Sequence, residues 1–418
     1  MAESFRPIRL VDVELTAAPP RLDALDGYGA VRALVRLHGV PLGCVTVPVR
    51  SGRLPARALE EAILARLSPA VLDHVLRDHL GGADWRGAFD ALLASPCPRP
   101  SGPVPLMTVA VCTRGRSAQL ARCLAALRRL DYPALDLLVV DNAPTDAATR
   151  DVVQTHAGVR YACEPRPGLD RARNRAIAEA RGEVLAYTDD DAVPDEGWAR
   201  ALAAAFASAA DVMAVTGPVL PLALETEAQE LFELAGGFGS AFAPRVYRAR
   251  GRLAIARFGE AGQLGTGANM AFRRAVFDAI GPFDPALDVG TVTNGGGDIE
   301  MLFRVVHAGW ALSYTPAALV RHEHRRDRES LHRQLRNNGI GFSAYVVRSI
   351  LAHPSERLAF ARVWLRWLLR WPVARLGRTL LRPGPVPRDL LAAELIGAFV
   401  GLVRYQRARR IAAAEGAA

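Results

Sequence analysis

Three consecutive aspartates, Asp189, Asp190 and Asp191, follow the apolar run Val184-Leu185-Ala186-Tyr187-Thr188 and precede Ala192-Val193-Pro194. Adjacent carboxylates repel one another, and capping a helix needs only one of them. A divalent cation taking carboxylate oxygens explains the triplet better; an acidic exposed turn is the alternative. Two further apolar runs end in residues suited to a nucleotide: Val109-Ala110-Val111-Cys112 leads into Thr113-Arg114, and Leu137-Leu138-Val139-Val140 into Asp141-Asn142. An Asp after the second strand of a βαβ unit can accept hydrogen bonds from ribose or base, although capping the next helix would use it equally well. No GxGxxG dinucleotide fingerprint accompanies either run. Gly265-Thr266-Gly267-Ala268-Asn269 are small residues that let backbone approach a ligand closely, and Trp198 either stacks on a ligand or fills the core.

The elements that must position these residues show as a rhythm. Apolar runs alternate with amphipathic helical patterns over 118–130, 145–155 and 170–180, which predicts βαβ units. Strands without a polar face imply an α/β fold, a mostly parallel sheet covered by helices on both faces. Ligands on such sheets bind beyond the carboxyl ends of the strands, where the candidates above fall. Upstream, residues 8–50 read as short strands broken by Pro19-Pro20 and Gly39, and helical patterns follow at 57–67 and 71–80. This predicts a small N-terminal α+β domain, 1–95, and the prolines 96, 98, 100 and 103 mark 96–104 as a linker. From Leu331 onward the pattern is helical, which sets apart a C-terminal region at 339–418.

Composition narrows the chemistry. The 418 residues are 50% hydrophobic and 23% charged, enough for two or three domains and unlike a disordered or polytopic membrane chain. All 52 basic residues are Arg, which excludes a Lys Schiff base and a Lys-dependent phosphate loop. Five scattered cysteines without CxxC spacing argue against a disulfide framework or a zinc site and suit a reducing compartment. The opening MAESFRPIRL has no signal-peptide pattern, so the expected location is the cytoplasm. The basic excess is C-terminal: from Arg321 on there are 19 Arg against seven acids. There Arg362, Arg366 and Arg370 recur on one side of a helical pattern, with Trp364, Trp367 and Trp371 on the other. This predicts peripheral docking on an anionic inner leaflet, with packing on the catalytic domain or an oligomer contact as alternatives. Asp389 to Val403 is apolar but too short to span a bilayer. Nucleic acid is not an expected partner, because phosphate and base contacts need no Trp and Leu gathered opposite Arg.

With Gly168-Leu169-Asp170-Arg171-Ala172-Arg173-Asn174, Gly281-Pro282-Phe283-Asp284, Gly295-Gly296-Gly297-Asp298-Ile299-Glu300 and Val320-Arg321-His322-Glu323-His324, these motifs resemble family 2 glycosyltransferases of the GT-A fold. The resemblance covers about Leu106 to Asn338, and a catalytic domain is expected at 105–338. It implies an inverting enzyme that moves a sugar from a nucleotide sugar to an acceptor hydroxyl with Mn²⁺ or Mg²⁺. The setting would be cell-envelope glycan, glycolipid or secondary-metabolite glycosylation. A UDP-sugar is the favoured donor, with GDP- and dTDP-sugars as options, and a lipid-linked molecule is one option for the hydroxyl acceptor. Carried over, Thr113, Arg114 and Arg173 face the nucleotide, Asp141 its base or ribose, and Asp189 and Asp190 lie by the ribose. Asp191 binds the metal with His322, or with His324 in its place. Gly267, Asn269 and Trp198 line the acceptor and sugar pocket. Asp298 matches the catalytic base, but Gly297 stands where the family has a first acid, so Glu300 is the backup. That gap keeps open a catalytically impaired sugar-nucleotide-binding scaffold. A nucleotidyltransferase is the remaining rival, lacking a Gly-rich basic loop after Cys112.

Overall fold

The computed structural model describes residues 5–79, 104–382 and 384–416. The expected linker at 96–104 lies outside the described residues, apart from Val104. Ile8–Glu14 (β1), Ala30–Leu37 (β2) and Val40–Pro48 (β3) form an N-terminal sheet in which β1 is parallel to β2 and β2 antiparallel to β3. His38 and Gly39, at φ 54° and 79°, make the two-residue turn between β2 and β3, whose twist matches a hairpin. Helix Ala56–His79 packs Leu59, Ile63 and Leu67 on that sheet. The two helical patterns expected here are one helix with Pro69 inside it. Proline removes a single intrahelical donor, and the apolar face on either side of it still packs on the sheet.

The main sheet is built from Met107–Thr113 (β4), Leu135–Asn142 (β5), Val159–Glu164 (β6) and Val184–Asp189 (β7), all parallel. After Ala192–Pro194 (β8), the chain adds Val212–Thr216 (β9), Val219–Pro221 (β10), Arg245–Tyr247 (β11), Asn269–Arg273 (β12), Ala311–Tyr314 (β13) and Val320–His322 (β14). Eight of these strands run in the order β11-β13-β9-β12-β7-β4-β5-β6, and β12 is antiparallel to both neighbours. The fold is therefore α/β around a mixed sheet, in keeping with the GT-A class. Alternate residues of β4 explain the two covered faces: Val109 and Val111 meet Leu120, Leu124 and Trp198, while Ala110 and Cys112 belong to the opposite cluster with Ala172, Ala176 and Leu302. Each such aliphatic side chain, fully buried, contributes roughly 1.5–3 kcal/mol.

Register sets the site. Thr113 pairs with Asp141 and Cys112 with Asp189, so three strand ends lie side by side. A second sheet, β10-β14-β8, pairs His322 with Ala192, the residue after Asp191.

Helix Arg328–Ala352 runs straight through the boundary expected at 338/339, so the helical region begins inside an element shared with the catalytic domain. It crosses helix Arg388–Gly416 closely: a Cβ at Gly339 would overlap the Glu394 carbonyl, and one at Gly397 the Arg336 carbonyl. The tryptophans of the expected stripe turn mainly inward. Trp367 is buried with its ring 4.2 Å from that of Phe342, Trp364 Nε1 donates to Ser343 Oγ at 2.8 Å, and Trp371 Nε1 donates to Glu394 Oε1 at 3.2 Å. Among the described residues no helix is long and apolar enough to cross a membrane.

Candidate active site

The carboxyl ends of β4, β5 and β7 open onto one groove. A compartment of about 320 Å³ holds Thr113, Arg114, Arg116, the three aspartates, His322 and Arg325. Arg114 also borders a compartment of about 260 Å³ that contains Asp141, and Asp189 borders a third, about 120 Å³, that reaches Arg173, Gly267 and Asp298.

Positive groups let the aspartates coexist. Thr113 Oγ1 donates to Asp190 Oδ2 at 2.7 Å, and Arg116 Nη1 donates to Asp190 Oδ1 and Asp191 Oδ2, both at 3.1 Å. His322 Nε2 lies 3.1 Å from Asp191 Oδ1, and Arg325 Nη1 3.8 Å from Asp191 Oδ2. Burial and the Asp191 charge push Asp190 up to about 6 and raise Asp189 as well. Burial also acts upward on Asp191, but His322, Arg116 and Arg325 outweigh it and hold that carboxyl well below the usual range. For His322, burial acts downward and the Asp191 charge prevails, so its pKa rises.

Asp189, Asp191 and His322 each bring a ligand atom within 4.8 Å of the others. Two carboxylates and an imidazole make a donor set that fits Mn²⁺ or Mg²⁺, with diphosphate oxygens able to complete the shell. Asp190 faces Thr113 and Arg116 instead. His324, the fallback ligand, stands behind His322: its Nε2 is 3.0 Å from Glu233 Oε1 and its Nδ1 3.2 Å from His322 Nδ1. Burial lowers the His324 pKa and favours the neutral ring. With Nε2–H donated to Glu233, His324 Nδ1 accepts the Nδ1–H of His322, and His322 Nε2–H donates to Asp191, a proton whose place a bound cation would take. Glu233 is anchored in turn by Arg32 of β2 at 2.9 Å.

Asp141 is buried and accepts a hydrogen bond from Tyr161 Oη at 2.9 Å through Oδ2, while its Oδ1 has no partner among the described residues. Burial moves its pKa upward against the Tyr161 bond. Asp298 sits in the first turn of helix Gly297–His307; Oδ2 accepts from Gly267 N at 2.7 Å and Oδ1 from Ile299 N at 2.8 Å. Arg173 is buried beside it, its Nη1 2.9 Å from Asp170 Oδ1.

Three expected pocket residues face elsewhere. Trp198 is fully buried and donates Nε1–H to Asn269 Oδ1 at 2.8 Å, and Asn269 Nδ2 donates to the Pro218 and Ala318 carbonyls. Both are core, with no surface for a sugar. Glu300 is buried against Arg304 at 2.6 Å and Arg348 at 2.7 Å and does not line the Asp298 compartment. The sequence reading missed Arg116, Arg325 and Asp170. The first two flank Thr113 and His322 in the sequence, which was the available signal; Asp170 lay inside a quoted motif but acts across 127 positions of chain, near Gly297.

Residues 108–281 match the family model described as Glycosyl transferase family 2. That stretch ends before Asp298 and His322. The pre-mycofactocin glycosyltransferase of Mycobacterium tuberculosis, from strains CDC 1551 / Oshkosh and H37Rv, is 26% identical over 274 residues, 63% of this chain and 53% of that protein. The chain thus spans about half the length of the curated relatives it matches. Among solved structures, the mannosyltransferase PcManGT from Pyrobaculum calidifontis with GDP-Man and Mn²⁺ is 19% identical, with a TM-score of 0.47 over 72% of this chain and 87% of that one. GalNAc-T7 with UDP, GalNAc and Mn²⁺ is 16% identical, with a TM-score of 0.40 over 59% and 51%.

Proposed function

We propose that this chain, which carries a glycosyl transferase family 2 domain over residues 108–281, is a metal-dependent inverting glycosyltransferase acting from a nucleotide-sugar donor on an acceptor hydroxyl. The observation that carries the reading is the three compartments that share Arg114 and Asp189 as walls and contain in turn Asp141, the aspartate triplet with His322, and Asp298. In this reading the free Oδ1 of Asp141 receives the base or ribose, and Asp189, Asp191 and His322 hold Mn²⁺ or Mg²⁺. When bound, the ion supplies charge neutralisation for the departing diphosphate. Arg114, Arg116 and Arg325 add fixed positive charge on the same wall. Asp298, its carboxylate aimed by two backbone N–H groups, takes the acceptor proton on the opposite face of the sugar.

A UDP-sugar is the first donor to try, then GDP- and dTDP-sugars. A lipid-linked acceptor at the inner face of the cell membrane is favoured by the C-terminal helices. Leu358, Leu365, Leu369, Phe399 and Val403 are exposed there, and so are Arg362, Arg370 and Arg407.

The test is nucleoside diphosphate release from a panel of nucleotide sugars with and without Mn²⁺, beside thermal shifts. One donor should raise the melting temperature only with the ion, and Asp191→Ala should lose both that shift and turnover. Equal release in EDTA would remove the metal from the reading.

A further inference from the structure

Asp170, at the start of helix Leu169–Glu179, is 1% exposed and has no role in the chemistry above. Its Oδ1 is held by Arg173, but its Oδ2 has no hydrogen-bond partner among the described residues. Leaving a buried carboxylate oxygen unpaired is unfavourable by about 1–3 kcal/mol or more, so a fold that keeps one has a use for it or a missing partner. Asp170 borders the compartment of about 120 Å³ that also contains Asp298. Gly297, the residue before Asp298, has no side chain, and a Cβ there would overlap Asp170 Oδ2. Gly297 opens its helix and is absent from the positive-φ glycines, so space and not backbone conformation requires glycine at this position. Asp288 also has an unpaired oxygen, but its other oxygen caps the helix at Arg171 N, 3.3 Å away, and it does not reach the compartment.

We propose that Asp170 is the second carboxylate of the Asp298 compartment, entering through the space that Gly297 leaves. Its free oxygen receives a hydrogen bond from the acceptor beside the reacting group: a neighbouring hydroxyl of a polyol or sugar, or the second proton of water when water attacks. Asp298 takes the reacting proton and Asp170 takes none; it orients the acceptor, with Arg173 fixing its rotamer. The inference rests on the glycosyltransferase reading and narrows the acceptor to a molecule with two adjacent hydrogen-bond donors.

The test measures nucleoside diphosphate release from UDP-glucose, GDP-mannose and dTDP-glucose with Mn²⁺, water serving as acceptor, for the full chain and its D170N, D170A, G297D and D170A/G297D variants. Melting temperature and affinity for the product nucleotide are recorded alongside. D170N should release about tenfold less or lower still, the scale of one hydrogen bond to a charged group. Its melting temperature should fall less than that of D170A, because the amide oxygen still accepts from Arg173, and nucleotide affinity should stay within about twofold. D170A/G297D, which returns a carboxylate from the other side, should outpace D170A. Wild-type release by D170N, or no gain of the double variant over D170A, overturns the proposal. If the unaltered chain releases nothing from any donor, the enzyme reading fails instead, and melting temperatures still decide the placement. G297D should then cost several degrees when Asp170 is present and little in the D170A background; equal losses in both backgrounds overturn it.

Discussion

Asp298 is aimed by main chain. Gly267 N and Ile299 N each donate to one of its oxygens, so Asp298→Asn keeps one of these acceptors, sets an amide N–H against the other backbone N–H, and loses the base. Turnover of this variant should fall by roughly 10² to 10⁴, the range for loss of a general base, with donor affinity intact in calorimetry. A wild-type rate would show that the proton goes elsewhere, and Glu300, locked to Arg304 and Arg348, is a poor substitute. Asp298, after three glycines, was reached only through the resemblance, whereas Asp141 and the aspartate triplet were legible in the sequence because each follows an apolar run, and the end of a buried strand is where a polar side chain meets a ligand. Trp198 and Asn269 were not: the hydrogen bond that makes them a core pair joins positions 71 apart. The same limit hid Asp170, whose meaning depends on what Gly297 lacks.

Among the elements, the strand and helix alternation from Met107 to Asp189 was readable because short continuous apolar runs, buried on both faces, alternate with helical patterns that repeat at 3.6 residues. The antiparallel entry of β12 was not, because Asn269–Arg273 is as apolar as its parallel neighbours and direction leaves no mark on composition. The helical end of the chain adds a titratable feature. Glu394, on helix Arg388–Gly416, is pushed up to about 7 by burial, with Arg375 at 3.8 Å and the Trp371 N–H only partly opposing. A carboxyl raised in the fold gives stability that is complete below its unfolded value of 4.5 and is lost as pH climbs through about 7. Above pH 8 the loss is on the order of 3 kcal/mol. Glu394→Gln should therefore flatten the fall in melting temperature between pH 5 and pH 8 and stabilise the alkaline end; a curve parallel to that of the unaltered protein would refute this.

At the scale of the whole molecule, the N-terminal sheet and the C-terminal helices both bear on the groove. Arg171 pairs with Glu415 at 2.6 Å, and Tyr405 Oη donates to Asp284 at 2.7 Å, so the final helix braces the loops that flank Asp298. Removing that helix would damage the site, and membrane docking must be tested on the full chain. L365E, L369E and F399E together add three acids to the exposed ridge without touching the buried Trp367. The unaltered protein should co-sediment with vesicles rich in anionic lipid at low salt and with neutral vesicles hardly at all, while the triple variant stays in solution with an unchanged melting temperature. Equal sedimentation of the two proteins would assign the ridge elsewhere, and a shift from dimer to monomer in light scattering would assign it to a second copy of the chain.

The hydrogen bonds from Arg32 through Glu233 and His324 to His322 end at Asp191. Anyone trimming the gene to its recognisable catalytic segment would discard Arg32 with the first strands and keep all three aspartates. The shortened protein would still display the acidic triplet, but Glu233 would have lost its anchor and His322 the fixed ring orientation that turns its Nε2 toward Asp191. A weak or metal-indifferent fragment would then be an artefact of where the gene was cut.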